Sequence, residues 1–163
     1  MNRFERKFFV KTIPELSPNL KVTRYDRHFL ENKVNNQIRI QSKDGLFELE
    51  KVFVISQHQR KIEKKKITEK EFVELSKKSI GHISRDSYSI SENPPITLKV
   101  YHGQFKGLRR VEVIFSSLEQ SERFSPPDWF GREITGSPLS RDSELLNLNL
   151  KVFKQLLIEA NSK

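Results

Sequence analysis

Hydrophobic and polar positions alternate in short blocks through most of this chain. Residues 3–12, 21–31, 36–42, 45–56, 58–67, 82–91, 96–102 and 108–116 each alternate or run apolar, with turn residues such as Lys43-Asp44-Gly45 and Asn93-Pro94-Pro95 between them. This pattern predicts about eight strands. Two stretches change to a helical period. Residues 68–78 open with Thr68 and, three positions on, Glu71, the spacing of a capping box. Residues 142–160 carry Leu146, Leu150, Phe153 and Leu157 as an apolar stripe and predict a second helix, a lid or buttress packed on the sheet. Many short strands with two helices predict an α+β fold, mainly β: an eight-stranded antiparallel tunnel-like barrel with flanking helices, because closing the sheet removes its exposed edges.

Side chains alternate across a strand, so the residues that share a face follow directly. Arg3, Glu5 and Lys7 share one face of the first strand, opposite Phe4 and Phe8. Arg39 and Gln41 oppose Ile38 and Ile40, and Arg110 and Glu112 oppose Val111, Val113 and Phe115. Lys61, Glu63 and Lys65 fall together, with Lys64 on the other face. In an ordinary antiparallel sheet such a charged face meets water. In a barrel covered outside by helices it points inward, where charge is costly unless it is paired or neutralised by a ligand. Mixed cations and carboxylates in such an interior suit a phosphate chain, the cations taking phosphate oxygens and the carboxylates a magnesium or manganese ion.

Composition narrows the classes. The 163 residues suit a single domain spanning 1–163, large enough to bury a core without staples. The absence of cysteine removes disulfides, thiolate metal sites and cysteine nucleophiles, and fits a reducing, cytoplasmic setting. A charged start, Met1-Asn2-Arg3-Phe4-Glu5-Arg6-Lys7, and the lack of a long apolar run argue against secretion and membrane insertion. The net charge of +9 attracts phosphate-bearing partners of any kind, although a solubilising surface excess would give the same sum. His28, His82, His58 and His102 lack metal-ligand spacing, and neither a nucleophile elbow nor a Walker loop occurs.

The ordered set of these strands resembles the CYTH proteins, or triphosphate tunnel metalloenzymes. Glu5-Arg6-Lys7 resembles the family's Glu-x-Glu-x-Lys with its first Glu replaced by Arg3. Gln37 to Gln41, the Lys61-Ile62-Glu63 strand, Leu98 to Gly103, Val111 to Phe115 and Pro127 to Thr135 follow in the family's order, so the likeness spans nearly the whole chain. The resemblance implies an eight-stranded tunnel that binds triphosphate-containing ligands with a divalent metal, and activities that include tripolyphosphatase, thiamine triphosphatase, RNA triphosphatase and adenylyl cyclase. Carried over position by position, it implies phosphate binding by Lys7, Arg39, Lys61, Arg85 and Arg110, joined by Arg3, Lys65 and Lys99. It implies metal ligation by Glu5, Glu63, Glu112 and Glu133, and chemistry centred on Glu5, Lys7 and Glu112. Either Glu50 or Lys51 takes the family's lysine position.

Departures from the family pattern share a direction. Arg3, Lys65 and Lys99 stand where the family has acids, Ile114 replaces a Glu, and Gln41 and Ser87 replace arginines. Fewer carboxylates weaken a site for Mg2+ or Mn2+ while added cations strengthen anion capture. Two readings follow: a module that binds a triphosphate, nucleotide, polyphosphate or RNA 5′ end with weakened or lost catalysis, or an active metal-dependent triphosphate hydrolase or adenylyl cyclase.

Overall fold

The computed structural model describes residues 2–162. Eight antiparallel strands form a closed barrel: β1 (Asn2–Phe9), β2 (Val22–Asn32), β3 (Asn36–Lys43), β4 (Leu46–Val54), β5 (Gln59–Lys66), β6 (Gly81–Glu92), β7 (Pro95–Tyr101) and β8 (Arg109–Phe115). Around the barrel they run β1-β5-β4-β3-β2-β6-β7-β8. Each strand overlaps the alternating block that predicted it. Hairpins follow the turn residues, with Asp44 and Gly45 both at positive φ between β3 and β4.

Among the described residues four α-helices flank the barrel. The first, α1 (Glu69–Ser76), is held by the full capping box of Thr68 and Glu71 and lays Phe72 against Phe47 and His28 outside β2 and β4. The second, α2 (Leu118–Arg123), was not expected from periodicity. The helix expected over 142–160 is two pieces, α3 (Asp142–Leu145) and α4 (Leu150–Asn161). The break has a local cause: the Asn149 side chain accepts from the Val152 N–H and starts a new helix. Among the described residues no helix is long and apolar enough to cross a membrane.

Two apolar clusters position the interior. One covers the outside of β1, β7 and β8, where Phe8, Val10, Leu98, Val111 and Val113 pack with Phe130 and Trp129. The other stops one end of the barrel. Phe9, Phe29, Ile83 and Tyr101 lie on the same strand faces as the inward charged residues, and they meet Leu139, Leu145 and Phe153 of the C-terminal segments. The C-terminal segments therefore close a mouth of the tunnel as well as buttressing its wall.

The stretch 131–134 pins β1. Gly131 donates to the Phe9 carbonyl at 2.7 Å, Phe9 to the Arg132 carbonyl at 2.8 Å and Ile134 to the Lys7 carbonyl at 2.8 Å. A Cβ on Gly131 would lie 2.6 Å from the Phe9 carbonyl oxygen, so only glycine permits this approach. β1 thus pairs with β5 only from Asn2 to Phe4 and with the 131–134 stretch beyond.

Candidate functional site

The barrel encloses a polar cavity of about 110 Å³, several times the room one water needs. β1 contributes Arg3 and Lys7, β2 Tyr25 and Arg27, β3 Arg39 and Gln41, and β4 Glu50. β5 contributes Arg60 and Lys64, β6 Arg85 and Ser87, β7 Thr97 and Lys99, and β8 Arg110 and Glu112; Arg141 and Asp142 enter from the C-terminal side. Ten cations line the cavity against three carboxylates. Glu5, which pairs with Arg60 at 2.9 Å and Lys7 at 3.3 Å, makes a fourth and leaves an excess of six cations.

Every carboxylate of this interior is ion-paired. Glu112 meets Lys99 at 2.6 Å and Arg3 at 3.7 Å. Glu50 meets Arg39 at 2.7 Å, Lys64 at 3.3 Å and Arg27 at 3.7 Å. Asp142 takes Arg27 at 2.8 Å, Arg110 at 3.1 Å and Arg85 at 3.4 Å, and accepts from the Tyr101 hydroxyl. Two guanidiniums also lie over aromatic rings, Arg85 over Tyr25 at 4.4 Å and Arg110 over Tyr101 at 5.1 Å, which holds these long side chains in place.

The cation excess shows in proton affinities. Burial alone would raise the Glu5 carboxyl, but Arg60 and Lys7 outweigh it and hold it at about 2. Burial would likewise raise Glu112 and Asp142, yet Lys99 and Lys7 around the first, and Arg85, Arg110 and Arg27 around the second, keep both well below the carboxylate range. The lysines yield instead. Burial pushes Lys7 down to about 7, with Arg60 and Arg110 adding to it against Glu5 and Glu112. Lys99 falls well below the ordinary lysine range by burial, against the help of Glu112 and with Arg85, Arg110 and Lys7 adding to the fall. Lys99 and Glu112 thus both shift downward, the lysine because burial disfavours its charge and the carboxylate because several cations favour its own.

Of the residues singled out in the sequence, the structure gathers Arg3, Glu5, Lys7, Arg39, Arg85, Lys99, Arg110 and Glu112 in the interior. It also decides the β4 register: Glu50 is buried inside and Lys51 is exposed. Four expectations are corrected. Lys61, Glu63 and Lys65 are exposed on the outer face of β5, whose inward residues are Arg60, Ile62 and Lys64. The strand is offset by one residue from the carried-over pattern, and a one-residue slip exchanges the faces. Glu133 lies outside the barrel, where Arg6 grips both its oxygens at 2.7 and 3.0 Å.

Five charged interior residues were missed, Lys64 among them because the same slip set it on the other face. Arg27 sits between Tyr25 and Phe29 on its face of β2, and Arg60 beside Ile62 on β5, so each reads as part of an apolar or mixed face. The face shared with Arg85 across the β2–β6 register would have exposed Arg27. Asp142 opens the stretch read as a continuous helix and Arg141 precedes it, and no strand pattern points to either.

A divalent ion does not fit this donor set. Among the described residues no three His, Asp or Glu are grouped to hold a metal. Glu5 and Glu112 each face two cations already, and Ile114 stands beside Glu5 in the β1–β8 register where an acid could have helped.

No family model and no curated protein matches the chain. Solved structures do. The inorganic triphosphatase NE1496 is 23% identical with a TM-score of 0.67, over 90% of this chain and 95% of that one. A candidate adenylate cyclase from Bacillus halodurans is 16% identical with a TM-score of 0.57, over 74% of this chain and 83% of the other. A candidate adenylyl cyclase from Hippeastrum with a dominant triphosphatase activity is 15% identical with a TM-score of 0.52, over 74% of this chain and 82% of that one. The closed eight-stranded antiparallel barrel of this chain is thus a fold it shares with these structures.

Proposed function

We propose that the tunnel captures a short oligophosphate, such as tripolyphosphate or the triphosphate of a nucleotide or RNA 5′ end, and that metal-dependent turnover is slow or lost. One observation carries this reading: ten cations converge on one tunnel cavity that supplies them with three lining carboxylates. Buried charge in such excess is unfavourable until an anion enters, and phosphate oxygens offer the acceptors that guanidinium and ammonium groups lack. Arg3, Lys7, Arg39, Arg60, Lys64 and Lys99 are the proposed contacts. Slow turnover follows from carboxylates committed to cations, which cannot also hold magnesium or manganese.

The second reading, an active hydrolase, is favoured by the triphosphatase activity of two proteins that share the fold. Calorimetry and thermal shift with tripolyphosphate test binding: a higher melting temperature that fades with salt is expected, and neither heat nor shift at millimolar ligand removes the proposal. Phosphate release with magnesium, manganese or chelator separates the readings. Brisk metal-dependent turnover would put the hydrolase first.

A further inference from the structure

Resting on the oligophosphate reading, we infer that Asp142 is a built-in anion that occupies the subsite of Arg27, Arg85 and Arg110 and fixes where the ligand's phosphate chain ends. The three guanidiniums come from β2, β6 and β8 and converge on one carboxylate, with Arg27 and Arg85 on Oδ2 and Arg110 on Oδ1. Tyr101 completes the shell with its hydroxyl. One unit of negative charge faces three of positive charge, a balance that a phosphoryl group with close to two charges meets better. The place is built for a phosphate and held by an aspartate.

Asp142 is not a helix cap: the turn it opens has four residues, and the residue before it, Arg141, makes no capping bond. It is also not free to leave. Leu139 and Leu145, on either side of it, are buried in the apolar stopper, which holds the turn by its apolar contacts. Lys7 donates to the Ser140 carbonyl at 2.6 Å and Arg110 to the Leu139 carbonyl at 2.7 Å, which ties the same turn to β1 and β8. The segment therefore stays seated when a ligand enters, and the cations remaining for the ligand are those toward Lys7, Arg39 and Arg60. In this arrangement Arg85 serves Asp142 and not the ligand.

Two pairs of variants test this by calorimetry. In the natural background Arg85→Met changes tripolyphosphate affinity by less than about threefold, whereas Arg39→Met weakens it at least about tenfold. Equal losses overturn the inference. Asp142→Ala removes both the charge and the carboxyl atoms from the subsite: it tightens tripolyphosphate at least about tenfold and lets orthophosphate alone bind and raise the melting temperature. Glu50→Ala adds the same net charge elsewhere in the cavity and gains neither; a matching gain would mean that total charge, not this subsite, governs binding. A purely structural Asp142 predicts loss of stability with no new orthophosphate site, which also overturns the inference. If Asp142→Ala does not fold, the Arg85 and Arg39 pair decides alone. Tripolyphosphate bound by neither the natural protein nor Asp142→Ala removes both proposals, whereas binding by the natural protein without these differences removes only this one.

Discussion

The two halves of the barrel wall hold their charge in different ways. On β6, β2, β3 and β4 every inward cation of the cavity is an arginine: Arg85, Arg27 and Arg39, balanced by Glu50 and Asp142. On β5, β1, β8 and β7 lysines are mixed in, with Lys64, Lys7 and Lys99 beside Arg60, Arg3 and Arg110. Guanidinium stays charged through the physiological range, whereas a buried ammonium gives up its proton when its surroundings become too positive. One half is thus a permanent field and the other an adjustable one. An anion entering between them meets fixed donors on one side and recharges the other.

The largest effect expected from breaking this comparison is on stability. Glu112 holds Lys99 and Arg3 in the lysine-bearing half and also supports Lys7, so Glu112→Gln leaves a buried lysine and a half-buried arginine without their partner. The loss should be about 3–5 kcal/mol in urea denaturation at pH 6. It should shrink as pH rises through 7, where Lys7 gives up its proton. An unchanged loss at pH 9 would show that the lysines are not the adjustable element.

Next comes the pH dependence of affinity. With Lys7 at about 7 in the empty tunnel, an oligophosphate favours its charged form and raises its proton affinity. Binding above pH 7 therefore takes up a proton, and affinity should fall by up to about tenfold per pH unit for each proton taken up. The phosphate chain itself gains charge over the lower part of this interval, which acts in the opposite sense, so a falling affinity is diagnostic. Calorimetry in buffers of different ionisation enthalpy reads the proton directly. A flat profile with no proton uptake would erase the distinction between the halves.

The smallest effect separates the two faces of one strand. Lys64→Ala should weaken tripolyphosphate binding by about threefold, while Lys61→Ala and Lys65→Ala should change it by less than about twofold, although each removes one positive charge. Comparable losses from all three would place the ligand under the control of general surface charge.

The same strand shows where sequence reasoning succeeds and where it stops. For β1, β3 and β8 one face is apolar and the other charged, so burial of Phe8, Ile40 or Val111 outside leaves the charged set no place but the interior. On β5 both faces are polar, with Arg60 and Lys64 on one and Lys61, Glu63 and Lys65 on the other. Periodicity then carries no preference, and the face is set by pairing with β4, where Glu50 stands opposite Lys64 and Val52 opposite Ile62. Glu133 was misplaced for another reason: it lies in an irregular stretch whose direction depends on its bonds to β1. Asp142 was illegible because a carboxylate between leucines at helical spacing looks like the solvent side of a helix. Only the tertiary position of that turn over the tunnel mouth turns it inward.

The closure of the barrel also bears on what the protein can join. Each strand has neighbours on both sides, and the gap that opens between β1 and β5 beyond Phe4 is taken up by the 131–134 stretch. Closure leaves little free ladder of N–H and C=O groups for an extended peptide or a second molecule to extend, so association by strand addition is disfavoured in this fold. A partner is then recognised mainly by side chains, and on the outer face of β5 those include the exposed lysines that the interior did not use.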